Sequence, residues 1–303
     1  MEMQFVNIEN LDCCQSIIKT MSKYYNLPFS VVYYESLAFK YEEKNINYNK
    51  SVFYMPKQSE EKMFDQIYKF CGLKRNFIAS INSIMGCEFK HTLPLLVEMK
   101  AKYIDWCQGI AGNRKHLFLI TYMGNNTIKI MDPFYLKKYI YHSKHFLYDA
   151  DSISYFTLEE PALTMFDKKM FFKSNISNFN SQKSVVAMQN FVKNIDMLLE
   201  KQCYLYGDEI RRSPLLKSLN YIYGQIYNTI LTSQELRLKR SQDMQDVMQL
   251  IGIMNKQLKK WESLRLLIMR NCIIKQTESD RIKECFNDLL SLNFQLSKFE
   301  FKE

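Results

Sequence analysis

His116-Leu117-Phe118-Leu119-Ile120-Thr121-Tyr122-Met123, then Gly124-Asn125-Asn126, then Thr127-Ile128-Lys129-Ile130-Met131-Asp132-Pro133 is the stretch that decides how this chain reads. Two short runs rich in β-branched and aromatic residues flank a Gly-Asn-Asn turn, the pattern of a β-hairpin. Folded symmetrically about Gly124, the hairpin sets residue 116 opposite residue 132. Directly opposed residues have Cβ atoms roughly 4.5–5.5 Å apart. A carboxylate there can accept a hydrogen bond from an imidazole and hold it in one tautomer and orientation. The other histidines, His91, His142 and His145, lie in polar or loop-like stretches without such a partner. Taken alone, His116 reads equally well as an exposed histidine at a strand end.

Upstream, Leu11–Tyr25 carries a helical pattern that Asp12 or a neighbour can cap and Asn26-Leu27-Pro28 can stop. Cys14, Ile17, Ile18, Met21 and Tyr25 fall on one face, which assigns Cys14 to the core. Cys13 lies about 100° away in the first turn, where unpaired backbone N–H groups and the helix dipole favour a thiolate. The helix by itself leans towards two thiols that only pack. Cysteine, histidine and an orienting carboxylate together are the parts of a nucleophilic triad.

The rest of the chain divides in two. Residues 1–174 mix helix and strand signals, with strands expected at Leu93–Met99 and Ile153–Leu158. Residues 175–183 are polar and rich in Ser and Asn, and read as a linker. Residues 184–303 are helical in pattern, with apolar spacing of three and four over Val185–Tyr206, Leu215–Leu231, Ser241–Arg270 and Asp280–Leu296. Ser213-Pro214 suits a helix start. The expectation is an α+β chain: a catalytic half followed by a helical bundle of about four helices.

Apolar residues make up 47% and charged residues 24%, which excludes a disordered chain. The net charge of +9 is spread along the sequence without an arginine-rich tract, which reads first as a solvated basic surface; if the excess serves a partner, an acidic protein is the first to test. The eight cysteines fit no zinc-finger spacing, no apolar run reaches bilayer length, and the first twelve residues lack the pattern of a secretion signal. These features lead us to expect a cytoplasmic protein with reduced thiols, no metal and no membrane contact.

The stretch from Asp12-Cys13 to Tyr24-Tyr25-Asn26 resembles the nucleophile helix of bacteriocin-processing, papain-like peptidases, in which an Asp-Cys pair opens an apolar helix ending in Tyr-Tyr-Gly. His116 to Ile120 and Ile128 to Pro133 resemble the same family's His strand and Asp-Pro strand. The resemblance implies a papain-like fold with Cys13, His116 and Asp132 as the triad. The chain departs from the family in having Cys14 where a glycine usually follows the nucleophile, and Asn7 where an oxyanion-hole Gln stands. It leaves Asn7, with Gln15 as a second candidate, as weak oxyanion donors. The layout of both halves is more similar to the butirosin-type acyltransferases of natural-product pathways, which are papain-like at the N-terminal half and helical at the C-terminal half.

That resemblance implies a thiotemplated acyl transfer. Cys13 would take an acyl group from an acyl or peptidyl carrier protein and pass it to a small amine acceptor as an amide. No cofactor belongs to the enzyme itself, since the phosphopantetheine arrives on the carrier. The alternative is a papain-like cysteine peptidase with the same triad, and the missing export and transporter segments weigh towards transfer. The basic run Arg237-Leu238-Lys239-Arg240 is a helix-end surface or a contact for the acidic carrier.

Overall fold

The computed structural model describes residues 3–5, 11–48, 50–80, 82, 84, 93–107, 114–124, 127–143, 145–161, 167–234, 236, 241–274 and 279–300. In chain order the main elements are α1 (Cys13–Tyr24), β1 (Lys40–Tyr41), β2 (Phe53–Tyr54), α2 (Glu60–Cys71), β3 (Leu73–Phe77), β4 (Leu95–Lys100), β5 (Lys115–Met123), β6 (Ile128–Asp132), β7 (Lys137–Tyr141) and β8 (Ala150–Leu158). Six helices follow: α3 (Lys168–Phe179), α4 (Gln182–Lys193), α5 (Ile195–Tyr206), α6 (Pro214–Ser233), α7 (Ser241–Ile274) and α8 (Ser279–Ser297). The chain is a mixed α+β protein, as its sequence predicts. It forms two compact units, one of residues Met1–Val32 with Ser59–Met165, the other of Tyr33–Gln58 with Phe166–Glu303.

The first unit is built on an antiparallel sheet of order β3-β8-β4-β5-β6-β7. One face carries Leu95, Val97, Met99, Phe118, Ile120, Ile128, Ile130 and Ile153, all buried in a common apolar core. The helix α1 packs against β5. Its N-terminus is closed by a capping box. The Asp12 side chain accepts from the Gln15 backbone N–H at 2.8 Å, and the Gln15 side chain accepts from the Asp12 N–H at 3.1 Å. At the other end Asn26 adopts φ 55°, in the left-handed region. Asn tolerates that region better than most residues with a Cβ.

The second unit holds the helices. Phe39 and Phe53 from the early segment lie with Phe179, Phe191, Trp261 and Phe286 in one aromatic cluster, with Phe53 stacked on Phe191 at 4.5 Å. Burying a side chain of that size contributes about 1.5–3 kcal/mol, which explains why residues 33–58 join the helices. The expected boundary at 174 therefore does not coincide with either compact unit.

The expected linker at 175–183 is also revised. Its first part is the end of α3, and its last residues open α4 under the Ser181 cap. Asn175 is buried and accepts hydrogen bonds from the backbone N–H groups of Ser36 and Leu37, while Ser184 Oγ accepts from Phe39 N–H. These polar side chains satisfy buried backbone donors, a use that composition cannot distinguish from solvation. The expected helix Val185–Tyr206 is two helices, broken at Asn194. Cys203 and Cys272 are joined by a disulfide, so the expectation of reduced thiols does not hold for that pair.

Candidate active site

A β-hairpin brings the two polar residues of the expected triad together, though not by the register first read. Leu119 stands opposite Met131 and Ile120 opposite Ile130; one further step sets Asp132 across from Phe118, two residues short of His116. Nearer the turn, Tyr122 faces Lys129 and Met123 faces Ile128, so the register slips by one residue at a bulge between Ile120 and Tyr122. Side chains alternate faces along a strand, so carrying the outer register on without the bulge would put Asp132 opposite Leu119, on the reverse face from His116. The bulge returns Asp132 to the face of His116, Phe118 and Ile120.

Across that diagonal, His116 Nε2 lies 2.6 Å from Asp132 Oδ2, with the imidazole 3% exposed and the carboxyl fully buried. A carboxylate only accepts, so Nε2 carries the proton and Nδ1 is the ring nitrogen left to receive one. Asp132 is held on every side. The indole N–H of Trp106 donates to Oδ2 at 2.6 Å, and the backbone N–H groups of Phe134 and Tyr135 donate to Oδ1 at 3.1 and 3.2 Å. The rings of Phe134 and Tyr135 flank the imidazole at centroid distances of 6.0 and 5.3 Å.

Cys13 occupies the first position of α1, immediately after the Asp12 cap, and is partly exposed. Cys13, after burial and Asp132, adds to the upward push on the Cys107 thiol and the Tyr135 hydroxyl. Cys14 is 1% exposed, and burial first, with Glu60 and Asp12 adding, pushes its thiol well above the ordinary range. Gln15 is a member of the capping box, with its side-chain oxygen committed to the Asp12 N–H. Asn7, His91 and the basic run at 237–240 lie outside the described residues.

Two contributors escape a sequence reading. Trp106 comes from a short 3-10 turn (Asp105–Cys107), and nothing in Asp105-Trp106-Cys107 announces a partner 26 residues away. Cys107 shares a 4.8 Å cluster with His116 and Asp132. Burial, with Asp132 adding, pushes its thiol up to about 11, so it stands protonated at neutral pH. Such a trio can hold a metal ion in other settings. Here the four acceptor positions of Asp132 are already matched by four donors, so the set fits an ion poorly. The backbone donors at 134 and 135 did have a signal, because Asp-Pro followed by aromatics is a side-chain-capped turn.

A cavity of about 510 Å³ in the same unit is lined by Tyr24, Leu93, Tyr122, Lys129 and Lys138 among others. Tyr24 ends α1, about 17 Å along the helix from Cys13, and neither Cys13, His116 nor Asp132 lines this cavity.

No protein-family model matches this chain, and no curated protein matches it.

Proposed function

We propose that this protein is a papain-like cysteine acyltransferase that joins a carrier-bound acyl group to an amine through an acyl-Cys13 intermediate. The observation that carries the reading is the buried His116–Asp132 pair, fixed by three further donors, in a unit whose first helix presents a partly exposed cysteine at its capped N-terminus. A buried imidazole held by a fully hydrogen-bonded carboxylate is an oriented base whose imidazolium is stabilised. The amide-forming assignment rests on the resemblance to butirosin-type acyltransferases, and within that group on likeness to the amide-forming cysteine enzyme of closthioamide biosynthesis.

In this reading Cys13 thiolate attacks the carbonyl carbon of a carrier-bound thioester. The C–S bond to phosphopantetheine breaks and its thiol leaves with a proton from His116. A neutral amine then attacks the acyl-Cys13 carbonyl, His116 Nδ1 takes the amine proton, and Cys13 departs as thiolate. A thioester is already activated, so the balance needs no ATP. The Cys13 backbone N–H is the natural oxyanion donor, with Asn7 the side-chain candidate. Carrier-bound thioesters are intracellular intermediates, which makes the cytoplasm the fitting compartment. Among the described residues no helix is long and apolar enough to cross a membrane.

The test is intact-protein mass after incubation with acylated carrier proteins. An adduct on Cys13 that a primary amine discharges as amide, without ATP, supports the reading. An enzyme that ignores thioesters but cleaves a peptide, with cleavage lost in Cys13→Ala, is a peptidase instead.

A further inference from the structure

We infer that Trp106 is a positioning residue for His116, acting through Asp132. The inference rests on the reading of His116 as the catalytic base, and extends the site to a residue from a separate segment of the chain.

Asp132 Oδ2 is shared. His116 Nε2 and Trp106 Nε1 both lie 2.6 Å from it, the shortest separations around the carboxyl group. Oδ1 is held by the turn that follows, through the N–H groups of Phe134 and Tyr135. The turn alone would fix one oxygen and leave the carboxyl free to swing about it. Trp106 fixes the second oxygen, and it is the oxygen that the imidazole uses. The indole is itself immobilised. It stacks on Tyr139 at 4.2 Å and 19°, and meets Phe118 edge-on at 5.5 Å. A ring clamped on two sides is a fixed donor, and a fixed donor fixes the carboxylate plane and with it the imidazole plane.

Electrostatics give the contact a second consequence. A hydrogen bond from a neutral N–H draws charge from the carboxylate without cancelling it. Tyr139, Tyr135 and Cys107 also face this carboxylate, and burial raises all three, so they are neutral at pH 7. Trp106 is thus the side chain that moderates how strongly Asp132 holds a proton on His116. Removing the N–H should leave more negative charge against the imidazole and make it more basic, as well as less well aimed.

The experiment compares wild type with Trp106→Phe, and with benzothienylalanine at 106, which keeps the bicyclic shape and replaces only the N–H. Three readouts are taken: the His116 ¹⁵N titration by NMR, the rate of Cys13 alkylation against pH, and kcat and KM for acyl transfer. The expected result for both variants is a His116 midpoint raised by about half a unit or more, a matching displacement of the alkylation profile, and kcat lowered about tenfold with KM little changed. The isostere guards against misfolding of the phenylalanine variant. A His116 midpoint that stays put or falls in the folded isostere overturns the inference and reduces Trp106 to a packing residue. The NMR and alkylation readouts use no acyl substrate. If wild type proves unable to transfer acyl groups and the midpoint still rises, the proposed function fails and the positioning role stands.

Discussion

His116 and Asp132 are diagonal neighbours on adjacent antiparallel strands, and their side chains nevertheless close to 2.6 Å inside a buried site. Their facing depends on parity: the one-residue slip between Ile120 and Tyr122 keeps both side chains on the same side of the sheet. A pair arranged in this way is sensitive to its donors and acceptors rather than to its bulk.

His116→Ala should lower acyl transfer or peptide cleavage by about 10²–10⁴-fold. His142→Ala and His145→Ala should leave it within about twofold, since neither residue adjoins the Asp132 carboxyl group. Asp132→Asn should cost less than His116→Ala, because the imidazole remains in place though less well oriented. Steady-state rates on the four variants decide this, and equal losses for His142 and His116 would refute the assignment.

The thiols should separate by reactivity. Iodoacetamide at pH 7 should label Cys13 first among the described cysteines, and Cys13→Ala should abolish that label and the activity with the melting temperature little changed. Cys14→Ala should retain substantial activity. Burial raises Cys14 well above its ordinary range, Cys107 to about 11 and Cys71 to about 12, so these thiols are protonated and slow at neutral pH. Labelling of Cys107 should appear only as the pH approaches 11. Peptide mapping by mass spectrometry reads each site, and prior labelling of Cys14 at pH 7 would reverse the choice of nucleophile.

At the end of α1, Asn26 holds φ 55°. Asn26→Gly should be neutral or slightly stabilising, whereas Asn26→Val should cost about 1–2 kcal/mol, the penalty of forcing a Cβ-branched residue into the left-handed region. Denaturant melts compare the two, and equal stabilities would show that the chain end relaxes out of that conformation.

Asn175→Ala should destabilise the protein by about 1–3 kcal/mol, because it takes the acceptor from the buried Leu37 N–H and leaves the Ser36 N–H with Tyr33 O alone, at 3.2 Å. Loss of stability well below that range would mean that water replaces the amide, and hydrogen exchange at residues 36 and 37 would show it.

Local sequence was enough for what short-range physics decides. The Asp12 cap, the burial of Cys14 against the exposure of Cys13, the Ser213-Pro214 helix start and the hairpin at 116–132 follow from capping chemistry, helical periodicity and turn residues acting over a few positions. Tertiary structure alone decided the rest. The register of β5 on β6, with its slip between Ile120 and Tyr122, sets residues 116 and 132 on a diagonal rather than directly opposite. Trp106 reaches Asp132 through folding across 26 residues, and no local pattern encodes that meeting. Phe39 and Phe53 settle among helices more than a hundred residues later because apolar burial is non-directional and has no memory of chain order. Asn175 reads as linker composition and serves as a buried acceptor, since a polar side chain looks the same in sequence whether its partner is water or a backbone N–H.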